Sequence, residues 1–255
     1  MRKNAWLAVG LGLVLMSGRA ARADYWDIQT QNDNTSATEN ELVHGSDQMH
    51  DLGTGTLPDQ DWFAMDQKPF SSYEAVADTS RHIVPLSLDR VDSGGAALQA
   101  SKAVGVGYSR SLRWANQTAG EVNNEFIRVM SGGCTTDCIP EDLYRIRFAE
   151  TTYSVPRFNN SGTQVTVMLL QNPTSYTVNG VVYFWNPAGA AVANFPFTLV
   201  GKQTIVLNTS SVAPGSAGAL TIAHDARYGD LSGKTVALEP STGFSFDSPM
   251  VPRVH

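Results

Sequence analysis

Leu143-Tyr144-Arg145-Ile146-Arg147-Phe148-Ala149 alternates, one residue at a time, between large apolar and charged side chains. Successive side chains of an extended strand point to opposite faces, so Tyr144, Ile146 and Phe148 share a buried face and Arg145 and Arg147 face water. The two arginines read as a solvated face in preference to an anion site. Outward from this strand, short runs rich in Val, Ile, Thr, Tyr and Phe recur between Gly, Pro, Asn and Asp, with no helical period. Strands are expected upstream at 61–66, 73–78, 84–88, 112–115 and 125–131. Downstream they are expected at 165–170, 178–185, 193–199, 204–207, 219–224 and 235–238, with turns at Asn179-Gly180, Asn186-Pro187 and Pro214-Gly215.

This pattern predicts an all-β chain: two antiparallel β-sandwich domains in tandem after a signal peptide. The divisions are 1–23, 24–155 and 156–255, the last a sandwich of the immunoglobulin-like class. The segment 152–162 interrupts the strand rhythm with Pro156, Asn159-Asn160 and Gly162 and reads as the linker.

The first 23 residues carry Arg2 and Lys3, an apolar run from Ala5 to Met16, and the triplet Ala21-Arg22-Ala23, the three-part layout of a secretory signal cut before Asp24. The run is far shorter than the about 20 residues a membrane-spanning helix requires, so no membrane span is expected in the mature chain. No cysteine lies near the cut, which argues against a lipid anchor of the bacterial lipoprotein type. Cleavage removes Arg2, Lys3, Arg19 and Arg22 and no acidic residue, moving the formal net charge from −6 to −10. Such a chain repels phosphate backbones, and nucleic acid is a poor partner. The expected location is secreted or periplasmic.

In an oxidising compartment the closely spaced pair Cys134 and Cys138 reads as one local disulfide across a turn, in preference to free thiols or to metal, which would want four ligands. Trp62, Phe63, Trp114 and Trp185 sit in expected strands and read as core in preference to a sugar-stacking platform. Tyr25 and Trp26, in a polar leader, read as an exposed contact or a clamp. His224 with Asp225 and Asp230 resembles a base with orienting acids, but no nucleophile elbow accompanies it and the run reads as a strand end and loop. His44 and His50 alone make a weak metal pair. Asp59 and Asp61 are two carboxyls of the kind a glycosidase uses, with no separation readable from sequence. There is no H-E-x-x-H and no G-x-S-x-G.

Asn32-Asp33-Asn34, Ala37, Leu42, Gly53, Asp59-Gln60-Asp61-Trp62-Phe63 and the closing strand with Tyr144, Ile146 and Phe148 resemble the bacterial pre-peptidase C-terminal domain. This β-sandwich module is related to the collagen-binding domains of clostridial collagenases, and the resemblance spans Asp24 to Tyr153. It implies a non-catalytic module that assists secretion, binds insoluble polymer or stabilises its neighbour. It also implies calcium at Asn32, Asp33 and Asp61, although Thr30 stands where an acidic residue is expected. Calcium takes six to eight oxygen ligands, and Asp24, Asp27, Asp33, Glu39, Glu41, Asp59 and Asp61 could supply several. Such a site requires the leader to fold back beside Asp59–Asp61; otherwise these residues are turn formers.

The leading functional expectation is therefore a secreted, non-catalytic binding or accessory module for a polymer, a cell surface or a protein partner. A structural component of an envelope or matrix is the second reading, and a hydrolase with an unrecognised site the third.

Overall fold

The computed structural model describes residues 33–52, 60–79, 86–103, 109–131 and 143–253. The expected signal segment 1–23, Tyr25, Trp26, Thr30, Asn32, Asp59, Cys134 and Cys138 lie outside them. The described residues form strands and one 3₁₀ turn, Thr209–Ser211.

Up to residue 150 the strands are β1 (Asp47–Asp51), β2 (Gln60–Ala64), β3 (Ser71–Thr79), β4 (Leu86–Asp92), β5 (Ala97–Ala100), β6 (Lys102–Ala103), β7 (Arg110–Asn116), β8 (Glu125–Ser131) and β9 (Leu143–Glu150). After it come β10 (Tyr153–Asn159), β11 (Val165–Gln171), β12 (Val178–Trp185), β13 (Ala191–Leu199), β14 (Thr204–Asn208), β15 (Ala217–His224), β16 (Ser232–Glu239), β17 (Phe244–Pro249) and β18 (Val251–Pro252). They build four sheets, ordered β1-β9-β3-β7-β6, β2-β8-β4-β5, β13-β12-β15-β10-β18 and β14-β11-β16-β17. The strand pairs are antiparallel.

Each half places one core between its two sheets. In the first, Tyr144, Ile146 and Phe148 of β9 meet Phe63, Leu88, Ile127 and Val129 of the facing sheet. In the second, Phe158, Phe184 and Ile222 meet Met168 and Leu170. Among the described residues, no sheet and no core cluster takes strands from both sides of Thr151. Trp62 points away from the main core into a small cluster with Val91 and Phe126, with the Arg128 guanidinium 5.6 Å from its ring centre.

Two sequence expectations are corrected. The segment 152–162 is not a linker, because β10 occupies most of it and the boundary after residue 155 falls inside that strand. Pro156 is accommodated because the β10–β15 register shifts between Val155 and Phe158, and a bulge does not need the N–H that proline lacks. Asn179-Gly180 is likewise no turn but the interior of β12. Gly180 pairs with Phe197, and a Cβ there would lie 2.5 Å from both the Phe197 ring and the Ala223 carbonyl oxygen. The missing side chain lets the aromatic ring cover the strand.

The connection between the halves is Thr151-Thr152, 2% and 1% exposed. Thr151 N–H donates to Ser72 O at 2.7 Å, and Thr152 Oγ1 accepts from Ser72 N–H at 2.9 Å. Phe70, held at φ 51°, presents its ring to Tyr183 at 4.6 Å and Trp185 at 5.5 Å across this seam. A left-handed backbone is uncommon for a bulky residue, and here it delivers the ring to the other half. Arg253 returns from the C-terminal end to pair with Glu150 and Ser71, and Arg113 lies 5.1 Å from the Tyr176 ring centre. Aromatic, ionic and backbone contacts together seat the halves in one relative orientation.

Candidate functional site

A hollow opens at the seam. β3 is the middle of its sheet, with Tyr73, Ala75 and Ala77 facing the core and Ser72, Glu74 and Val76 facing outward, and that outer face is roofed by the second half. Register places Ala149 of β9 opposite Glu74 on one side and Arg113 of β7 opposite it on the other, with Arg147 beside Val76. Residues 44–47 form one wall and Tyr228, from the β15–β16 loop, the other. The result is an open cavity of about 280 Å³.

Glu74 forms its floor and is 7% exposed. Its Oε2 accepts the Tyr228 backbone N–H at 2.9 Å, and Oε1 lies 3.5 Å from Ser111 Oγ, at the limit of a hydrogen bond. Burial pushes the Glu74 carboxyl above its ordinary range; the Tyr228 N–H, Arg113 and Arg227 oppose the rise and Asp230 adds to it. The Tyr228 side chain is 46% exposed and meets His44 edge-on at 5.8 Å. His44 Nδ1 accepts the Glu150 N–H at 3.1 Å. At the rim, Arg147 pairs with Asp78 and Arg145 with Asp47; all four side chains are substantially exposed, where such pairs contribute little stability.

The residues singled out in sequence fall elsewhere. His224 is buried: Nε2 donates to Thr151 O at 2.9 Å, Nδ1 accepts the Ala226 N–H at 3.1 Å, and the ring stacks on Tyr153. That pair of bonds selects the neutral tautomer protonated on Nε2, and desolvation pulls its pKa down to about 4. Asp225 accepts from the backbone and amide of Asn179, and Asp230 from Tyr176 Oη. The three therefore hold three different segments and do not converge on a reacting atom. His50 stacks on Tyr144 in the first core. Trp62 and Trp114 are buried, whereas Trp185 is half-buried at the seam, outside the core, with its indole N–H donating to Thr221 Oγ1 at 2.9 Å.

Residues 33–42 lie beside β2. Trp62 N–H donates to Asp33 O at 2.6 Å, Ala64 N–H to Asn40 O at 2.8 Å, and Leu42 N–H to Ala64 O at 2.9 Å. Asp33 and Asp61 are each 1% exposed, and the Tyr144 hydroxyl donates to Asp61 Oδ2. Asn40 is 1% exposed and neither polar atom of its amide has a hydrogen-bond partner among the described residues. No three His, Cys, Asp or Glu side chains among the described residues cluster as a metal site would require. No helix of the described residues is long and apolar enough to cross a membrane.

Glu74 and Tyr228 were not legible as a site. Glu74 sits at an outward position of a strand, where an acid normally meets solvent. The faint signal is Ser71-Ser72-Tyr73-Glu74-Ala75-Val76-Ala77, whose small residues on both faces suit a strand covered on both sides.

No protein-family model matches this chain, and no curated protein does. Among solved structures, a β-glucuronidase from glycoside hydrolase family 2 aligns at 11% identity and a TM-score of 0.19, over 86% of this chain and 26% of that one. A family 2 member from Bacteroides cellulosilyticus DSM 14838 aligns at 9% and 0.21, over 79% and 31%. A Bacteroides uniformis β-glucuronidase aligns at 10% and 0.19, over 76% and 26%. The chain thus spans less than a third of the length of these enzymes, and likeness at this level carries no argument about function.

Proposed function

We propose that this chain is exported by its N-terminal segment and acts, secreted or periplasmic, as a non-catalytic binding or accessory module for a polymer, a cell surface or a protein partner. Its two sandwiches act as one body, with the seam cavity as the recognition site. The observation that carries this reading is that both halves build the cavity: Glu74 and Val76 supply the floor and the half-exposed Tyr228 a wall. Half-exposed aromatic rings beside a few convergent polar groups are the usual anatomy of a binding site. The resemblance of residues 24–153 to secreted accessory modules points the same way.

Co-sedimentation of the chain from Asp24 with insoluble polysaccharide, peptidoglycan and fibrous protein tests it. Binding to one of these is expected, and Tyr228→Ala should weaken it by about tenfold, as expected for an anchoring aromatic. Equal sedimentation of variant and wild type would place recognition elsewhere.

Calcium belongs to the same proposal. Asn32, Asp33 and Asp61 would hold it, and the buried amide of Asn40, beside the same strand, fits an oxygen ligand. The ion would fasten the leader against β2. Binding to the folded state alone stabilises by about 2.7 kcal/mol at a hundredfold excess over Kd, so thermal unfolding should rise in millimolar calcium and return with a chelator. An unchanged melt in both, repeated with Asp61→Asn, would make these residues turn formers only.

A second reading, a structural component that packs against copies of itself, has its own observation. The solvent-facing side of sheet β14-β11-β16-β17 carries an apolar patch: Val165, Val167, Leu169, Val206, Val236 and Leu238 lie on the face opposite buried Thr166, Met168 and Leu170. Val206 is 68% exposed.

A further inference from the structure

We infer that the seam cavity takes a single neutral sugar ring, the free monosaccharide or the end of a glycan; this rests on the cavity being the recognition site proposed above. The charges around the floor decide the ligand class. The Glu74 carboxylate accepts only, and with Oε2 on Tyr228 N–H and Oε1 at 3.5 Å from Ser111 it retains acceptor capacity toward the hollow. A ligand must therefore bring a donor, either a cation or a hydroxyl.

Three guanidiniums stand nearby, Arg113 opposite Glu74 in the sheet, Arg227 beside Tyr228 and Arg147 in the lining, and the carboxylates of Glu74, Asp47, Asp78 and Asp230 offset them. A ligand with a net charge of either sign would upset this balance. A neutral group with several hydroxyls does not, since it donates to Glu74 and accepts from Arg147. The Tyr228 ring then offers an apolar face for the C–H side of the sugar. The volume, about 280 Å³, sits just below the range of about 300 Å³ upward typical of small-ligand sites. It therefore has room for one ring.

The test is an amide NMR titration of the chain from Asp24 with methyl glycosides of glucose, galactose and N-acetylglucosamine, and separately with agmatine as a cationic probe. At least one glycoside should shift the Glu74, Val76 and Tyr228 amides, and agmatine should not. Glu74→Gln keeps an acceptor for the Tyr228 N–H but loses the charge, and should weaken the sugar about tenfold, the worth of one charge-assisted hydrogen bond. Tyr228→Ala, which keeps the backbone contact, should weaken it as well. Competition by an insoluble polysaccharide assigns the ligand to a glycan end, and its absence to the free sugar. No shift with any glycoside, agmatine binding at Glu74, or an affinity unchanged in Glu74→Gln overturns the inference. If polymer co-sedimentation still depends on Tyr228 in that event, the cavity remains a recognition site for other chemistry.

Discussion

Gly218→Ala is expected to destabilise the chain by about 4 kcal/mol or more, enough to leave little folded protein. Gly218 lies in β15 opposite Phe158 at the β10 bulge, with φ 152°. A Cβ there would stand 1.7 Å from the Trp185 carbonyl oxygen and 2.8 Å from its carbon. Those are backbone atoms of β12, so no rotamer change relieves the clash; the strand itself must move, and the β12–β15 ladder moves with it. Gly215 is the control, because its φ of 66° is left-handed but nothing lies within 4 Å of an added Cβ. There alanine should cost only the backbone term of about 1–2 kcal/mol. Urea unfolding checks both, and a Gly218→Ala midpoint equal to that of Gly215→Ala would refute the steric account.

Acid should destabilise the protein through His224 by about 3 kcal/mol. The group is neutral and buried, with a folded pKa of about 4 against an ordinary 6.5. Between those values the unfolded chain binds the proton and the folded chain does not, so stability falls as pH drops from about 6.5 to about 4 and levels off below. A depression of this size corresponds to about 3 kcal/mol at 1.36 kcal/mol per pH unit. Glu74 contributes with the opposite sign, because its folded pKa is raised, so the measurement is a difference. Unfolding free energies of wild type and His224→Gln, taken across this window, should diverge by the His224 contribution alone. Parallel pH profiles would show that the imidazole is not held neutral.

Strand positions were legible because burial imposes a period of two: Tyr144, Ile146 and Phe148 are all buried while Arg145 and Arg147 stay exposed and paired. β5, β6 and β18 are too short to show the period, and β1 and β17 are exposed over much of their length, so burial imposes little alternation on them. β10 was hidden by Pro156, whose bulge has no one-residue signature, and Gly180 imitated a turn because its purpose depends on Phe197, seventeen residues away. The seam was illegible for a related reason. Phe70, Glu74 and Trp185 occupy positions that would be surface in an isolated sandwich, and the approach of the other half covers them. His224 shows the converse, since its two ring bonds are to backbone groups at Thr151 and Ala226 that no side-chain motif announces.

Amide hydrogen exchange of the chain from Asp24, free and sedimented on the polymer it binds, tests most directly whether the seam is where this protein recognises its partner. Added protection is expected at residues 44–47, 74–76, 147–149 and 228, from both halves at once. Protection confined to β11, β14 and β16, with the seam unchanged, would contradict the proposal and favour packing through the apolar outer sheet.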